Sequence, residues 1–342
     1  MILRSNKSND LMLEWDNCHP KVSVVMSCFN SSSWLSQSIE SVLCQSMRDF
    51  EFIIVDDGST DGSWEIIKSY SHSDERIKPI LKENSGLADS LNLGVAKSVG
   101  HWIARIDSDD IWNSQKLSHQ LNALARINRC VYMGSSYTEF YDDIGCVKIV
   151  SPPCEHKQLI KNMLTGRRIP AHSSALISRF AFYKAGGYRA CFFRSEDLDL
   201  WLRIGDIGEL RSLTEPLVAV RLHKDQMSKS DGGIPQLKYS LIAACFYWLR
   251  LWGVEEPNNE STSDKQNFHQ WVDRWMESNS VILADEYKIK LQSALKNRSP
   301  SRLLKFLSHS IKNPHLVVML FMGRMPYMAS PRKMASDWIY SK

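Results

Sequence analysis

Short apolar runs recur along the first 128 residues with polar, glycine- and serine-rich stretches between them. Val22-Ser23-Val24-Val25-Met26, Glu51 to Val55, Ile77 to Leu81 and Trp102 to Ile106 each have the length and β-branched content of a buried strand. The intervening segments follow a helical period instead. Leu35, Ile39, Val42 and Leu43 form one stripe, with Ser33 as the expected N-cap; Trp64 and Ile67 mark a second helix, and Leu87 to Ser98 a third. This βαβαβαβ order predicts a mostly parallel, right-handed, doubly wound sheet. After a helix expected over Ser114 to Asn128 the pattern turns irregular. Short strands are expected near Val131 to Met133, Tyr137 to Tyr141, Val147 to Val150 and Leu217 to Leu222, with a helix over Asp197 to Ile207 that buries Leu198, Trp201 and Leu202. The chain therefore divides into an extension over 1–20, a body over 21–232 that changes character between 110 and 111, and a helical region over 233–342.

A length of 342 residues suits one large α/β unit with an appendage. Composition, with 43% hydrophobic and 23% charged residues, is that of a globular protein and excludes wholesale disorder or a membrane bundle. The net charge of +4 conceals an asymmetry. From Tyr287 to Lys342 there are 11 Lys and Arg against the single acid Asp337, so this tail carries +10 and the preceding 286 residues carry −6. Such a tail suits an anionic partner, lipid or nucleic acid. The eight cysteines include no C-x-x-C pair, which fits a reduced, cytoplasmic protein. Met1 to Pro20 has no apolar core of signal-peptide length, and the longest apolar stretch of the tail, Leu316 to Met322, is 7 residues, against about 20 for a bilayer span.

The candidate chemistry lies at two acidic loops, Asp56-Asp57-Gly58-Ser59-Thr60-Asp61 and Asp107-Ser108-Asp109-Asp110. Each follows a strand-like run, and open α/β sheets place their ligands at strand C-termini. Carboxylates gathered there call for a cation, and a divalent metal held by them would hold a diphosphate in turn. Alternation along an extended segment would point Asp107 and Asp109 to the same side. The bland reading of the first loop is a strand-to-helix turn with Asp61 capping the next helix.

Together with Ser27-Cys28-Phe29-Asn30, Asn84-Ser85-Gly86 with Asn92 and Gly94, Ser195-Glu196-Asp197 with Trp201 and Arg203, and Arg221-Leu222-His223, these loops form six motifs in a fixed order. In this the chain resembles the family 2 glycosyltransferases over residues 21 to 232. The resemblance implies a GT-A fold: a Rossmann-like, mostly parallel sheet over 21–110 for the nucleotide sugar, an irregular acceptor half over 111–232 and a helical C-terminal extension. It implies an inverting enzyme with a divalent metal, Mn²⁺ or Mg²⁺, and a nucleotide-sugar donor, a UDP-sugar being expected. Asp57 would hold the base, with Asp56 second, and Ser27 and Asn30 would line the same slot. Asp107 would contact ribose or sugar, and Asp109 the metal. Asn84, Gly86 and Asn92 belong to the donor side on this reading, and Asp197 is the base, with Glu196 orienting acceptor or base.

His223, after an apolar strand, is a candidate metal ligand, and Arg221 beside it a phosphate contact. Asp110 is either a further ligand, or a helix cap or surface charge. His172 and Arg194 are acceptor-side candidates, as is Trp201, whose alternative is the core. Arg105, a charge in an apolar strand, is expected to pair with an acidic-loop carboxylate. The segment Ile111-Trp112-Asn113-Ser114 lacks a proline that relatives often carry, yet Asn113 or Ser114 can cap the next helix. Between Arg302 and Lys312 a helix would gather Leu303, Leu304, Phe306, Leu307 and Ile311 opposite Arg302, Lys305, His309 and Lys312, the pattern of a helix at an anionic membrane surface. The expected enzyme extends a surface polysaccharide or lipid-linked glycan from the inner face of the cytoplasmic membrane, and no nucleic-acid partner is expected. The alternatives are a nucleotidyltransferase, disfavoured because Ser27 to Ser33 has no Lys or Arg to grip a triphosphate, and a non-catalytic sugar-nucleotide binding protein.

Overall fold

A computed structural model describes residues 20–223, 234–257, 262–278 and 330–341. The amphipathic segment 302–312 lies outside the described residues. Two compact units emerge rather than a single cut near residue 232. One takes in the described residues through His156, Pro170–Gly187 and Ile204–Arg221; the other takes in Lys157–Ile169, Tyr188–Arg203 and the described residues from Leu222 onward.

The first unit is a mixed α/β sheet of nine strands among the described residues. Its first half runs β1 (Val22–Cys28), α1 (Leu35–Leu43), β2 (Phe50–Asp56), α2 (Ser63–Ser73), β3 (Ile77–Leu81), α3 (Leu87–Ala96) and β4 (Trp102–Asp107). β3, β2, β1 and β4 are adjacent and parallel, as the alternation predicts. The register aligns Cys28 with Asp56 and Ser27 with Asp107, so both acidic loops leave the same edge of the sheet. Helices cover both faces, which is why the strands read as continuous apolar runs. Val22, Val24, Met26, Phe52 and Ile54 pack with Leu35, Ile39 and Val42 of α1 on one face. On the other, α3 lies so close that Gly94 faces the Val25, Val55 and Ile53 side chains.

Beyond β4 come β5 (Ile111–Trp112), α4 (Lys116–Leu124), β6 (Cys130–Tyr141), β7 (Gly145–Val150), α5 (His156–Leu164), a 3-10 turn (His172–Ser174), β8 (Leu176–Ser178), α6 (Arg179–Lys184), α7 (Glu196–Gly205) and β9 (Glu209–Arg221). The two strands expected near 131–133 and 137–141 are one strand, β6. It pairs in parallel with β9 through three register shifts, and these irregularities blur the two-residue alternation that would have revealed a single element. β8 runs antiparallel between β4 and β6 and so joins the two halves of the sheet. Ser33 does not cap α1: the N-cap position is Trp34, without a side-chain cap bond, and the Trp34 and Leu35 amides donate to the Ser31 carbonyl. Asp61 and Asn113 stand just before the N-cap positions, Gly62 and Gln115, and brace those turns, Asp61 accepting from the Ser63 amide at 3.1 Å and Asn113 from the Gln115 amide at 2.9 Å.

The second unit contains most of α5 and α7, with α8 (Ile234–Leu251), α9 (Thr262–Ser278) and α10 (Ser330–Ser341). Phe246, Phe268, Val272, Trp275 and Met334 are buried in it, and Trp338 meets the Phe268 ring edge-on at 4.8 Å. No described helix is long and apolar enough to cross a membrane.

The helix–strand approach at Gly94 gives a first prediction. A Cβ there would lie 2.6 Å from Val25 Cγ1. Gly94→Ala is expected to lose about 1–3 kcal/mol by overpacking, against about 1 kcal/mol regained in helix propensity. Urea denaturation should show net destabilisation, and adding Val25→Ala should cost less in this background than in the parent chain.

Candidate active site

Asp107 is the last residue of β4, and the chain turns immediately, the Asp110 amide donating back to the Asp107 carbonyl at 3.3 Å. The expected extended D-x-D segment is therefore a turn. It brings Asp107, Asp109 and Asp110 together, with one carboxylate oxygen from each lying within 4.8 Å of the others. An all-oxygen set of this kind suits a hard divalent cation such as Mg²⁺ or Mn²⁺.

The cluster is held from both sides. Arg105, buried in β4 two residues earlier, forms an ion pair with Asp107. Burial by itself would raise the Asp107 carboxyl, but the Arg105 guanidinium outweighs it and holds the group below the usual carboxylate range. Asp110 goes the other way: burial, then the charges of Asp109 and Asp107, push it well up. It is a buried member of the cluster and not a surface charge, and its Oδ1 accepts from the Arg221 amide at 3.0 Å.

Ser173 stands between these carboxylates. Its Oγ accepts from the Asp107 amide at 2.9 Å, lies 3.0 Å from Asp107 Oδ2 and contacts Asp110 Oδ2. The 3-10 turn that carries it is fixed from below. Trp112 Nε1 donates to the Ser173 carbonyl at 2.8 Å, and Gln120 Nε2 donates to those of Ser174 and Met133. Lys116, fully buried, donates to Gln120 Oε1 at 3.0 Å and sits 3.8 Å from the Trp112 ring centroid, and burial pushes its amine well down. Ser173 is more than sixty residues from the acidic loop, and no motif in the sequence flags it.

Arg221 was expected at phosphate. Its guanidinium is instead buried against the back of the loop, with Nε donating to the Asp109 carbonyl at 2.8 Å, one terminal nitrogen paired with Asp142 and the other donating to Gln37 at 2.6 Å. In this arrangement it positions the Asp109 backbone.

The first loop is tied to the strands beside it. Asp56 is fully buried and accepts from the Ser59 amide at 2.7 Å, so it shapes the loop and presents no surface to a nucleotide. Asp57 accepts from Lys82 Nζ at 2.5 Å and from the Ser85 and Gly86 amides at 2.9 Å each. Burial opposes its ionisation, but these donors hold it below the usual carboxylate range. The carboxylate is itself buried, with the Ser90 hydroxyl beside it. Gly86, at φ 97°, adopts the backbone that lets its amide meet Asp57. Asn30, at φ 50°, uses its side-chain oxygen to accept from the Thr60 amide at 2.8 Å, bracing the loop. Asn84 is exposed beside Gly58, while Asn92 Oδ1 lies against Gly187, where an added Cβ would come within 2.8 Å, so Asn92 faces that turn. Ser27, buried, is the penultimate residue of β1 and pairs in register with Val55 and Asp107.

A family model, Glycosyl transferase family 2, matches residues 23–186. A putative glycosyltransferase of Bacillus subtilis, EpsE, is 35% identical over 62% of this chain and 77% of its own length. The chain belongs to glycosyltransferase family 2. An uncharacterized glycosyltransferase of Haemophilus influenzae is 28% identical over 87% of this chain and 93% of its own length. Among solved structures, the S. aureus TarS fragment 1–349 in complex with UDP-GlcNAc superposes with a TM-score of 0.54 at 15% identity, over 67% of this chain and 66% of that one. The Pyrobaculum calidifontis mannosyltransferase PcManGT, in complex with GDP-Man and Mn²⁺, gives 0.51 at 13% over 95% and 91%. The fold is thus that of GT-A glycosyltransferases.

In this family 2 enzyme the remaining candidates lie in separate places. His172, half-buried in the 3-10 turn, precedes Ser173, and burial and Arg105 push its imidazole well down. Glu196 and Asp197 open α7 in the second unit, Asp197 Oδ1 accepting from the Leu198 amide at 2.7 Å. Asp199, which the motif reading passed over, is the acid of that turn committed to structure: it is buried and paired with Arg189 and Arg203. Trp201 is fully buried and belongs to the core, not to an acceptor surface. Arg194, at φ 63°, lies 4.7 Å from the centroid of the Phe193 ring. His223 follows β9 in the second unit.

Because Ser173 bridges two of the three clustered carboxylates, Ser173→Ala is expected to weaken Mn²⁺ binding about tenfold, the scale of losing a support to a metal ligand. Ser173→Thr, which keeps the hydroxyl, should recover most of it. Titration of free Mn²⁺ by electron paramagnetic resonance checks both.

Proposed function

We propose that this glycosyltransferase moves a sugar, with inversion, from a nucleoside-diphosphate donor, a UDP-sugar in the first instance, to a hydroxyl of a glycan or lipid-linked acceptor in surface-polysaccharide assembly. The observation that carries the reading is the convergence of Asp107, Asp109 and Asp110 at the same sheet edge as the Asp57–Gly86 clamp. Its biological setting draws on relatives: a B. subtilis protein, TuaG, named as a putative teichuronic acid biosynthesis glycosyltransferase, is 38% identical over 37% of this chain.

With Lys82 turned away, Asp57 would accept from a base N–H, and its charge makes that bond stronger than a neutral one. Asp107 would accept from ribose or sugar, with Ser27 beside it. Asp109, with Asp110 behind it and His223 as a further candidate ligand, would hold a divalent cation, Mn²⁺ or Mg²⁺, which when bound supplies charge neutralisation for the departing diphosphate. Lys82 would turn from Asp57 toward the donor phosphates. On the acceptor side Asp197 would take the hydroxyl proton as the oxygen attacks the anomeric carbon from the face opposite the leaving group, with Glu196 orienting it. One displacement inverts the configuration. His172 and Arg194 remain candidates for acceptor contact, and the basic C-terminal region for contact with an anionic membrane surface on the cytoplasmic side.

Nucleotide release measured over a panel of nucleotide sugars, with and without Mn²⁺, tests the assignment. Asp109→Ala should lose metal-dependent turnover, and unaltered activity in that variant would reject the metal site. Asp197→Asn should bind donor with unchanged affinity by calorimetry while transfer falls about 10²–10⁴-fold, the usual worth of a general base. Full transfer by Asp197→Asn would remove it as the base.

A further inference from the structure

The second unit contains a cavity of about 780 Å³ bounded by α5, the C-terminal end of α8 and the first turns of α10. Its rim is basic and aromatic: Lys157 and Lys161 stand one turn apart on α5, Arg332 and Lys333 are adjacent on α10, and Trp248 lies in the last turn of α8 with Trp252 just beyond its end. Ile160 and Leu164 supply apolar surface between them. No carboxylate lines the cavity among the described residues. The Arg332 guanidinium lies 5.2 Å from the centroid of the Trp248 ring, so the cation and the aromatic plane already form one surface.

Three features converge on an anion with an apolar body. Lys157 and Lys161 are like charges at i and i+4, an arrangement that disfavours a helix unless something negative sits over it. Pro331, Arg332 and Lys333 of the first turn of α10 line the same cavity, so the positive end of that helix's dipole adds to the side-chain cations. Tryptophan and basic side chains around an apolar floor are the composition that settles at a lipid headgroup layer. A single-stranded nucleic acid would also stack on tryptophan, but it asks for an extended basic track, whereas these cations ring a cavity.

We propose that this cavity binds the phosphate-bearing headgroup of an anionic phospholipid, with Lys157, Lys161, Arg332 and Lys333 around the phosphate and Trp248 and Trp252 against the glycerol and upper acyl chain. It gives the basic C-terminal region a defined place of contact. It does not depend on the transfer chemistry, since none of these residues belongs to the acidic loops or to the start of α7.

Co-sedimentation of the full chain with phosphatidylcholine vesicles, with and without phosphatidylglycerol, tests the site. The parent protein should partition onto the anionic vesicles only. Lys157→Glu with Lys161→Glu should reduce that partitioning at least about tenfold, since each basic residue near the surface contributes about fivefold. Lys78→Glu with Lys97→Glu, two exposed lysines of the first unit with the same change in net charge, should leave it nearly unaltered. Trp252→Ala should weaken binding without changing its salt dependence. Nucleotide release from a soluble donor should be the same in all three variants. Equal loss in the two lysine pairs would overturn the proposal, as would binding to neutral vesicles alone. Displacement by inorganic phosphate or a single-stranded oligonucleotide as readily as by excess vesicles would overturn it too. If vesicle binding behaves as expected while no nucleotide sugar is turned over, the transfer reading fails and this one stands.

Discussion

Everything in the first unit answers to one constraint: three carboxylates are forced to within 4.8 Å of one another at the end of a buried strand. At that separation a pair of unit charges repels by about 3 kcal/mol at an effective dielectric near 20, and such repulsion must be opposed wherever the group stays ionised. The protein divides the task. Asp107 keeps its charge through the ion pair with buried Arg105, while Asp110 is driven toward its neutral form and placed where an amide and the Ser173 hydroxyl can bond to it. Asp109 completes the cluster, its backbone held by the Arg221 guanidinium at the carbonyl. A cation fits such a cluster because it removes the repulsion that the protein has only partly cancelled.

This constraint explains why the second half of the sheet is irregular. β8 must run antiparallel to β4 to bring the 3-10 turn under the acidic loop, and β9 must reach the same point to deliver the Arg221 amide to Asp110. The polar groups beneath the turn then need partners of their own. Trp112, Gln120 and Lys116 provide them in a buried chain ending in an amine whose charged form burial disfavours. A half-satisfied polar network in a core is worse than none, so Ser173 is held by a scaffold of partnered atoms and not by loop sequence.

The parallel half of the fold was legible because periodicity and topology agree there: strands buried on both faces read as unbroken apolar runs, and Val22 to Asp107 contains little else between helical stripes. The acidic loops were legible for the same reason, being polar interruptions at strand ends. Roles within them were harder to read. Asp56 and Asp57 are neighbours of identical chemistry, both buried, and only the register separates the one that accepts from Ser59 from the one that clamps Gly86. Arg221 shows the same limit. A lone arginine after an apolar strand suits a phosphate contact equally well, and its capture by Asp142, Gln37 and the Asp109 carbonyl depends on residues up to 184 positions away.

Asp199 and Asp197 carry this argument to the start of α7. Three acids in a first helical turn have equal claims from sequence, since each favours the positive end of the helix dipole by about 0.3–1 kcal/mol. Ion pairing breaks the tie. Asp199 is buried between Arg189 and Arg203, and removing either partner would strand a charge in the core, so this carboxylate cannot accept a proton in each cycle without loss of structure. Asp197, half-buried in the same turn, accepts from the Leu198 amide at 2.7 Å. A base must be able to give up its charge at small structural cost, and Asp199, whose charge holds Arg189 and Arg203, does not meet that condition.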